Sequence, residues 1–541
     1  MRTLLFLLFS FAVSATSGVF AQDTDVPGND EYAKGLEAYR DGKYEDAVKS
    51  WKVAAKEGNA EAQCNIGSCY ATGTGVGKDP VKAYEWYQKA AKQGNDVAQC
   101  NLGNCYFNAN GVEQDLSAAV KWYRKSAGQG NMNAMAYLGV CYKNGYGVSV
   151  NYEKAIECLY KSADSGNAMA QNELAECYYF AYGVEQDLVE AVYWYSLAAS
   201  NGNPVAQYNL SVCYAAGEGV EADSAKAMKW MLRSAESGYA QAQYEVADCY
   251  YNGTGVPQDK SEAVNWYKKA AEQGHVDAQY VLAGCYYAAE GIARSYEEAV
   301  RWYKAAAEQG DADAQCQLAN CYYIGNGVKQ NTGRAIRWYK AAAESGSAEA
   351  MFCLAEEYYW GDALSLDMDR AMELYLASAE GGFAPAYNSL GNFYSNGIMF
   401  GADLSKAFEC YRSAAEMGFA DAQYNLATCY YNGKGVEQDF VEAVRWYIKA
   451  ANQEHSDAQY QLAICYYNGL GIPVDYMKAA GCYAGAALAG NSSAQYELGM
   501  CYYNGHGVVR NVDEAKKWLG YAADQEHEEA IKTLKKIKKE M

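Results

Sequence analysis

The residues with the most recognisable chemistry in this chain are its 52 tyrosines, many of which occur as pairs seven residues apart. A tyrosine ring offers a large, rigid contact area and a hydroxyl that forms hydrogen bonds, so such pairs are typical of recognition surfaces. The candidate binding residues are Tyr208, Tyr244, Tyr251, Tyr280, Tyr287, Tyr424, Tyr431, Tyr460, Tyr467, Tyr496 and Tyr503.

Patterns for nucleophilic or metal chemistry do not occur in the sequence. No serine has a lysine three residues later, and glycine pairs such as Gly253 and Gly255 follow predicted helices, so they indicate turns and not phosphate loops. The four histidines are scattered, and no paired cysteines have the spacing of zinc ligands. We therefore predict a protein that is not an enzyme and has no metal or cofactor. A weak hydrolase is retained as an alternative function.

A strict repeat positions the tyrosines. The alanine of an Asp-Ala-Gln motif, or of its variants, recurs every 36 residues without a slip from Ala62 to Ala530. A period of this length predicts stacked helical units. Positions in each row are counted here from that alanine, so Tyr424 and Tyr431 are at offsets two and nine of the row that begins at Ala422.

Each row is predicted to be a hairpin of two helices. In the row from Ala422, apolar residues at helical spacing predict the first helix, and Gly433 ends it. Asp439 is expected to cap the second helix, with Glu442 completing a capping box. All thirteen rows have Asp, Asn or Ser at this position. One hairpin buries too little surface alone, so the fold class is an all-α solenoid of tandem hairpins.

The complete rows follow the pattern L-[AG]-x-C-Y-Y-N-G-x-G-V…A-x-x-W-Y-x-K-A-A-x-x-G. This pattern resembles the Sel-1-like repeat family, a relative of the tetratricopeptide repeat, from Glu61 to the C-terminus. The resemblance implies a right-handed α/α superhelix of 36-residue hairpins that serves as an adaptor for proteins or peptides.

The chain is predicted to have five segments. Residues 1–21 contain Arg2, an apolar run and a small-residue cleavage site, which indicates a signal peptide. A polar linker (22–30), a tetratricopeptide-like first unit (31–60), thirteen repeats (61–529) and a C-terminal capping helix (530–541) follow. We expect export to the periplasm or the extracellular space, or to the lumen of the endoplasmic reticulum in a eukaryote.

Offsets two and nine are expected on the face of the first helix opposite its core stripe, at about 200° and 180°. That face should line the concave groove of the superhelix. Two partners fit a tyrosine-lined groove: a protein or peptide, or a cell-wall glycan stacked on the rings. The rings could instead complete the core. Polar residues at offset six are expected between them: Asn104, Glu176, Asp248, Asn320, Glu356 and Asn392.

The charge balance narrows the classes of partner. The chain has 66 acidic and 45 basic residues, which argues against nucleic acid and anionic membrane surfaces. After the signal peptide no apolar run is long enough to span a membrane. We expect a monomer.

Most of the eighteen cysteines are predicted to be unpaired. Eleven share offset seven, and equivalent positions in adjacent rows are expected beyond the ~7 Å between α-carbons that a disulfide spans. Two pairs could form a bridge within a row: Cys141–Cys158 and Cys465–Cys482. Secreted members of the similar family form bridges at other positions, which here hold residues such as Ala451 and Gln459.

Two adjacent rows, 350–421, depart from the pattern. The loop after Trp360 loses its second glycine, and the next row has Phe393 in place of cysteine and the loop Gly397-Ile398-Met399-Phe400. This stretch is interpreted as a partner-binding protrusion, as a kink in the superhelix, or as loop variation without a function.

Overall fold

The computed structural model describes residues 28–398 and 401–540, with side chains to residue 537. These residues form 29 helices and no strand, which confirms the all-α solenoid. The predicted signal peptide, most of the polar linker, and Met399 and Phe400 lie outside the described residues. None of the described helices is long and apolar enough to cross a membrane.

The helices belong to two compact units, one ending at His275 and the other beginning at Val276. The helices of the first unit are α1 (Asn29–Arg40), α2 (Tyr44–Lys56), α3 (Ala60–Thr72), α4 (Pro80–Lys92), α5 (Asp96–Asn108), α6 (Leu116–Ala127), α7 (Met132–Asn144), α8 (Tyr152–Asp164), α9 (Ala168–Phe180), α10 (Leu188–Ser200), α11 (Pro204–Ala216), α12 (Ser224–Glu236), α13 (Ala240–Asn252) and α14 (Lys260–Glu272).

The second unit continues the same alternation of first and second helices. Its helices are α15 (Val276–Ala288), α16 (Tyr296–Glu308), α17 (Ala312–Ile324), α18 (Thr332–Glu344), α19 (Ala348–Trp360), α20 (Met368–Glu380), α21 (Ala384–Asn396), α22 (Leu404–Glu416), α23 (Ala420–Asn432), α24 (Phe440–Ala451), α25 (Ser456–Asn468), α26 (Tyr476–Leu488), α27 (Ser492–Asn504), α28 (Val512–Asp524) and α29 (Glu528–Glu540).

Side-chain caps start the second helix of every row. The side chain at the capping position accepts a main-chain hydrogen bond in all thirteen rows, as predicted. The capping box at Glu442 is only half formed. The N–H of Asp439 donates to the oxygen of Tyr430 (3.0 Å), so Glu442 pairs with Arg445 on the surface instead.

The core lies between the two helices of each row and the next hairpin. In the row from Ala422, the predicted stripe residues Leu426, Cys429 and Tyr447 are buried. Trp446, which the sequence predicts to be buried, is only partly buried, and the ammonium of Lys449 lies 3.6 Å from the centroid of its ring. Alanine at the helix crossing lets the two helices approach closely.

Glutamine at offset one joins neighbouring hairpins. Gln423 Nε2 donates to the oxygen of Ala415 in the preceding second helix (3.3 Å), and its Oε1 accepts from Gln453 at the end of its own row (2.8 Å). The first unit has the same bonds, for example from Gln63 to Ala55 (3.1 Å). A buried amide thus satisfies main-chain groups between hairpins.

Candidate functional site

The eleven predicted tyrosines, called the ladder tyrosines below, are all partly buried. The row from Ala422 shows how two of these rings are held. The ring of Tyr424 lies 6.0 Å from that of the buried Tyr447 and stacks on His455 at 4.9 Å. Tyr431 lies 6.3 Å from Tyr447 and 5.2 Å from Phe440. Each ladder ring in this row therefore has one side held by the core and keeps part of its surface accessible.

The same support recurs at offset two in both compact units. The centroid distances to the buried tyrosine of the second helix are 5.9 Å for Tyr244 and 6.0 Å for Tyr460. Burial raises the pKa of Tyr424 and Tyr460 above the ordinary phenol value, so the hydroxyls stay protonated at neutral pH. The ladder tyrosines are held in place before any ligand arrives, and this lowers the entropic cost of binding.

The sequence predicts polar residues at offset six between the rings. In the structure these side chains are not free, because they form hydrogen bonds within the hairpin. Most accept the hydroxyl of the buried second-helix tyrosine nineteen residues later: Tyr123 donates to Asn104 (2.8 Å), and Tyr411 to Asn392 (2.8 Å). Asp248, Asn320 and Glu356 accept in the same way. These side chains accept hydrogen bonds from buried hydroxyls, which are costly to leave unpaired. Because they are already engaged in this way, they have fewer hydrogen bonds to offer a ligand.

A signal for this pairing was present in the sequence. Where the second-helix tyrosine is replaced by Leu159, Met231 or Leu519, offset six is Val140, Val212 or Met500 in the same row. In these three rows the acceptor is absent where the hydroxyl is absent, although Tyr303 and Tyr483 are retained opposite Gly284 and Ile464. The pairing between offset six and the second-helix tyrosine joins two different helices, so it can be recognised only once both helices have been placed in the same hairpin.

Glu176 is the exception at offset six. Together with Glu173 it binds the ammonium of the buried Lys143, with 2.8 Å between Lys143 Nζ and Glu176 Oε2. Burial disfavours a charged lysine, yet the two carboxylates outweigh it and raise the pKa of Lys143 above its ordinary value. Two carboxylates face one ammonium here, and burial together with the charge of Glu176 raises the pKa of Glu173 above its ordinary value.

The histidines, which appear scattered in the sequence, all contact ladder tyrosines. His275, His455 and His527 stack on the tyrosine at offset two of their rows, at centroid distances of 4.8, 4.9 and 4.8 Å. The fourth, His506, lies 2.7 Å from the Tyr467 hydroxyl through Nδ1. Three of them lie 31 residues after the tyrosine at offset two of their row. This constant spacing is the pattern in the sequence that could have indicated the contact.

The irregular row from Ala350 has a cavity of about 520 Å³ beside its loop. Glu357 occupies the slot that holds cysteine in eleven rows, and it is 6 % exposed. Its Oε2 accepts the N–H of Ala363 at 3.2 Å. Thr332 and Leu364 both line it, so the cavity lies between the loop and the start of α18.

All eighteen cysteines are free thiols in the structure. Cys158 packs against the cluster that contains Cys141, and Cys482 against the cluster that contains Cys465, so each proposed pair shares a core without a bond between the sulphur atoms. Within the described part of the chain, no group of three or more side chains could hold a metal ion.

Comparisons with known proteins agree with this architecture. The Sel1 repeat model matches thirteen consecutive segments: residues 60–95, 96–131, 133–167, 168–203, 204–239, 240–275, 276–311, 312–347, 348–383, 384–419, 420–455, 456–491 and 492–527. A search of curated proteins found no match.

The solved structures that are similar to this chain include two bacterial repeat proteins. One is c5321 of uropathogenic Escherichia coli, described as a protective antigen with an SLR fold; it is 32 % identical, with a TM-score of 0.64, over 84 % of this chain and 97 % of that chain. The other is a Sel1 repeat protein from Oxalobacter formigenes, 35 % identical with a TM-score of 0.43 over 54 % of this chain and 87 % of that one.

Proposed function

This chain belongs to the Sel1 repeat family of helical-repeat scaffolds, and we propose that it is an exported, non-enzymatic adaptor that binds a protein or peptide through its ladder tyrosines. The observation that carries the proposal is the state of these rings. All eleven are partly accessible, and the rings of Tyr244, Tyr280, Tyr424 and Tyr460 each pack against a buried tyrosine of the second helix. Rings of this kind lose little conformational freedom on binding and make good interface anchors.

The later rows of the second unit supply the most regular part of this surface. Three successive rows, beginning at Ala422, Ala458 and Ala494, have tyrosine at both offset two and offset nine. Those two offsets are about two helical turns apart, so each row presents two rings on one face of its first helix. We propose that a partner segment contacts these six rings: Tyr424, Tyr431, Tyr460, Tyr467, Tyr496 and Tyr503.

Export is part of the same proposal. It rests on the pattern of residues 1–21 in the sequence. The description of the similar Escherichia coli protein as a protective antigen supports it, since an antigen that protects must be reached by the immune system.

The experiment is to pan a displayed peptide library against the purified chain and to measure the Kd of recovered peptides for variants. Tyr424→Ala with Tyr431→Ala should raise the Kd about tenfold, the loss expected for two interface anchors. Tyr521→Ala is the matched control, because this tyrosine is 46 % exposed on α28 and is not a ladder tyrosine. Thermal unfolding of each variant separates lost binding from lost folding.

Unchanged binding in the folded double variant would contradict the proposal. A panel of cell-wall polysaccharides, tested with the same variants, covers the other partner suggested by tyrosine rings. Ladder-dependent binding to a polysaccharide, with no peptide enriched, would replace the peptide adaptor with a glycan-binding protein.

A further inference from the structure

The first compact unit has a small cavity whose walls differ from the rest of the ladder. It measures about 210 Å³ and lies between α9, α10 and α11. Four aromatic rings line it, from Tyr179, Phe180, Tyr195 and Tyr208, together with the carboxylate of Glu176. Several aromatic rings around one carboxylate are a suitable environment for an organic cation, which is attracted to ring faces.

Two of the three tyrosine hydroxyls at this cavity, those of Tyr179 and Tyr208, donate to carboxylates. Tyr179 donates to Glu218, and Tyr208 donates to Glu245 Oε1 at 2.6 Å. The bond to Glu218, with burial, raises the pKa of Tyr179 to about 12. A phenol that donates to a carboxylate has a more electron-rich ring, so these bonds strengthen the attraction of both rings for a cation.

The charged groups around the cavity are mainly carboxylates. Glu173 and Glu176 share the single ammonium of Lys143, and Glu218 and Glu245 each accept a neutral hydroxyl. Four carboxylates and a single ammonium thus lie close to the aromatic walls, and burial raises the pKa of one of the four, Glu173. A cationic ligand would lower this repulsion, whereas an anionic one would increase it.

Phe180 is the residue that sets this row apart. It stands at offset ten, where seven other rows have asparagine, and it is 54 % exposed. Its ring lies 4.8 Å from that of Tyr179 in an edge-to-face arrangement. An exposed phenylalanine at the rim extends the aromatic wall outwards by one ring.

We propose that this cavity binds an alkylammonium group, the side chain of a lysine in the bound peptide. This inference rests on the proposed adaptor function and names the chemistry of one part of its partner. The rings surround the aliphatic and ammonium part of the lysine, and Glu176 faces its charge. Glu176 already pairs with Lys143 through Oε2 at 2.8 Å, so the ligand ammonium shares this carboxylate with Lys143, and the aromatic rings supply the rest of the attraction.

The test uses Nα-acetyl-lysine amide as the probe and saturation-transfer NMR on the full chain. Phe180→Asn replaces the rim ring by the residue that seven rows have, so folding should be retained. Ile324→Asn is the matched control: it also replaces an exposed apolar residue by asparagine at offset ten, in the row from Ala314, and Ile324 is 59 % exposed. Phe180→Asn should weaken binding of the probe at least fivefold, and Ile324→Asn should leave it unchanged.

Two further probes identify the chemistry. The Nζ-acetylated form of the same compound is neutral and should not bind, and tetramethylammonium tests a small quaternary ammonium. Equal binding of the neutral and charged lysine probes would overturn the proposal, as would equal binding to wild type and Phe180→Asn. Binding of tetramethylammonium without binding of the lysine probe would also overturn the assignment to lysine.

A failure of the lysine cavity can be distinguished from a failure of the proposed adaptor function. If the lysine probe does not bind while ladder variants still lose library peptides, only the lysine cavity is wrong. If the probe binds as expected but no peptide is enriched, the cavity stands and the peptide adaptor is wrong.

Discussion

Two hairpins of the second unit, α19–α20 and α23–α24, have the same fold although their loops are built differently. In the regular hairpin, Gly435 has a φ of 76°, and a Cβ added there would lie 2.0 Å from the main-chain oxygen of Leu404. In the irregular hairpin Ala363 takes that position, and a cavity lies between the loop and α18. Only glycine allows the close approach, so its loss opens a space.

The difference shows which residues determine the hairpin. Both rows keep an aspartate cap whose N–H donates to a tyrosine oxygen of the first helix: Asp367 to Tyr358 (2.9 Å) and Asp439 to Tyr430 (3.0 Å). Both also bury the second-helix tyrosine, Tyr375 or Tyr447, at 1 % exposure. Caps and core therefore specify the two helices, and the loop can vary without changing them.

The largest effect on stability is expected from exchanging the residues at offset seven, which is cysteine in the regular row and Glu357 in the irregular row. Cys429→Glu should lower the free energy of unfolding by about 3 kcal/mol or more, because the slot is packed among apolar residues such as Phe408 and Leu426. The reverse change, Glu357→Cys, should alter it by no more than about 1 kcal/mol, since it restores the common residue. Urea unfolding of both variants measures the contrast, and a tolerated Cys429→Glu would show that the slot does not distinguish the rows.

A smaller contrast is expected at the second glycine. Gly435→Ala should destabilise the chain by about 2 kcal/mol, because it adds strain at positive φ and a clash with Leu404. Ala363→Gly should cost less than about 1 kcal/mol, since it mainly adds freedom to the unfolded chain. Thermal unfolding compares the two. Equal losses would mean that the contact in the regular row contributes little.

The caps should behave alike in both regions. Asp439→Ala and Asp367→Ala each remove a side-chain acceptor from the second-helix N-terminus and should cost about 1 kcal/mol. Asp439→Asn and Asp367→Asn, which keep an acceptor, are the controls. A clearly smaller loss at Asp367 would contradict the claim that the irregular row relies on the same cap.

The smallest change concerns the thiols and leaves stability unaltered. Burial raises the pKa of Cys429 to about 11, so at pH 8 roughly one molecule in a thousand has the reactive thiolate there. Alkylation of the folded chain should be slow and should accelerate about tenfold per pH unit. In denatured, unreduced chain most of the eighteen cysteines should react at once; near-zero reaction would reveal disulfides.

Local features of the fold were predictable because neighbours in the sequence determine them. The cap at Asp439, the stop at Gly433 and the stripe through Leu426 depend on residues within one helical turn or two. The stacking of His455 on Tyr424 was not predicted, since it joins residues 31 positions apart through the hairpin. The cavity beside Glu357 depends on the path of the loop, which no spacing rule describes.

The glutamine at offset one has a consequence for how strongly adjacent hairpins are coupled. Repeat proteins unfold as a row of units tied to their nearest neighbours, so a weakened link divides the row into separate cooperative blocks. Met351 and Tyr387 replace this glutamine in two consecutive rows, and no other pair of adjacent rows lacks it. The second unit should therefore open first between these rows, and amide hydrogens there should exchange through local fluctuations that leave the flanking blocks folded.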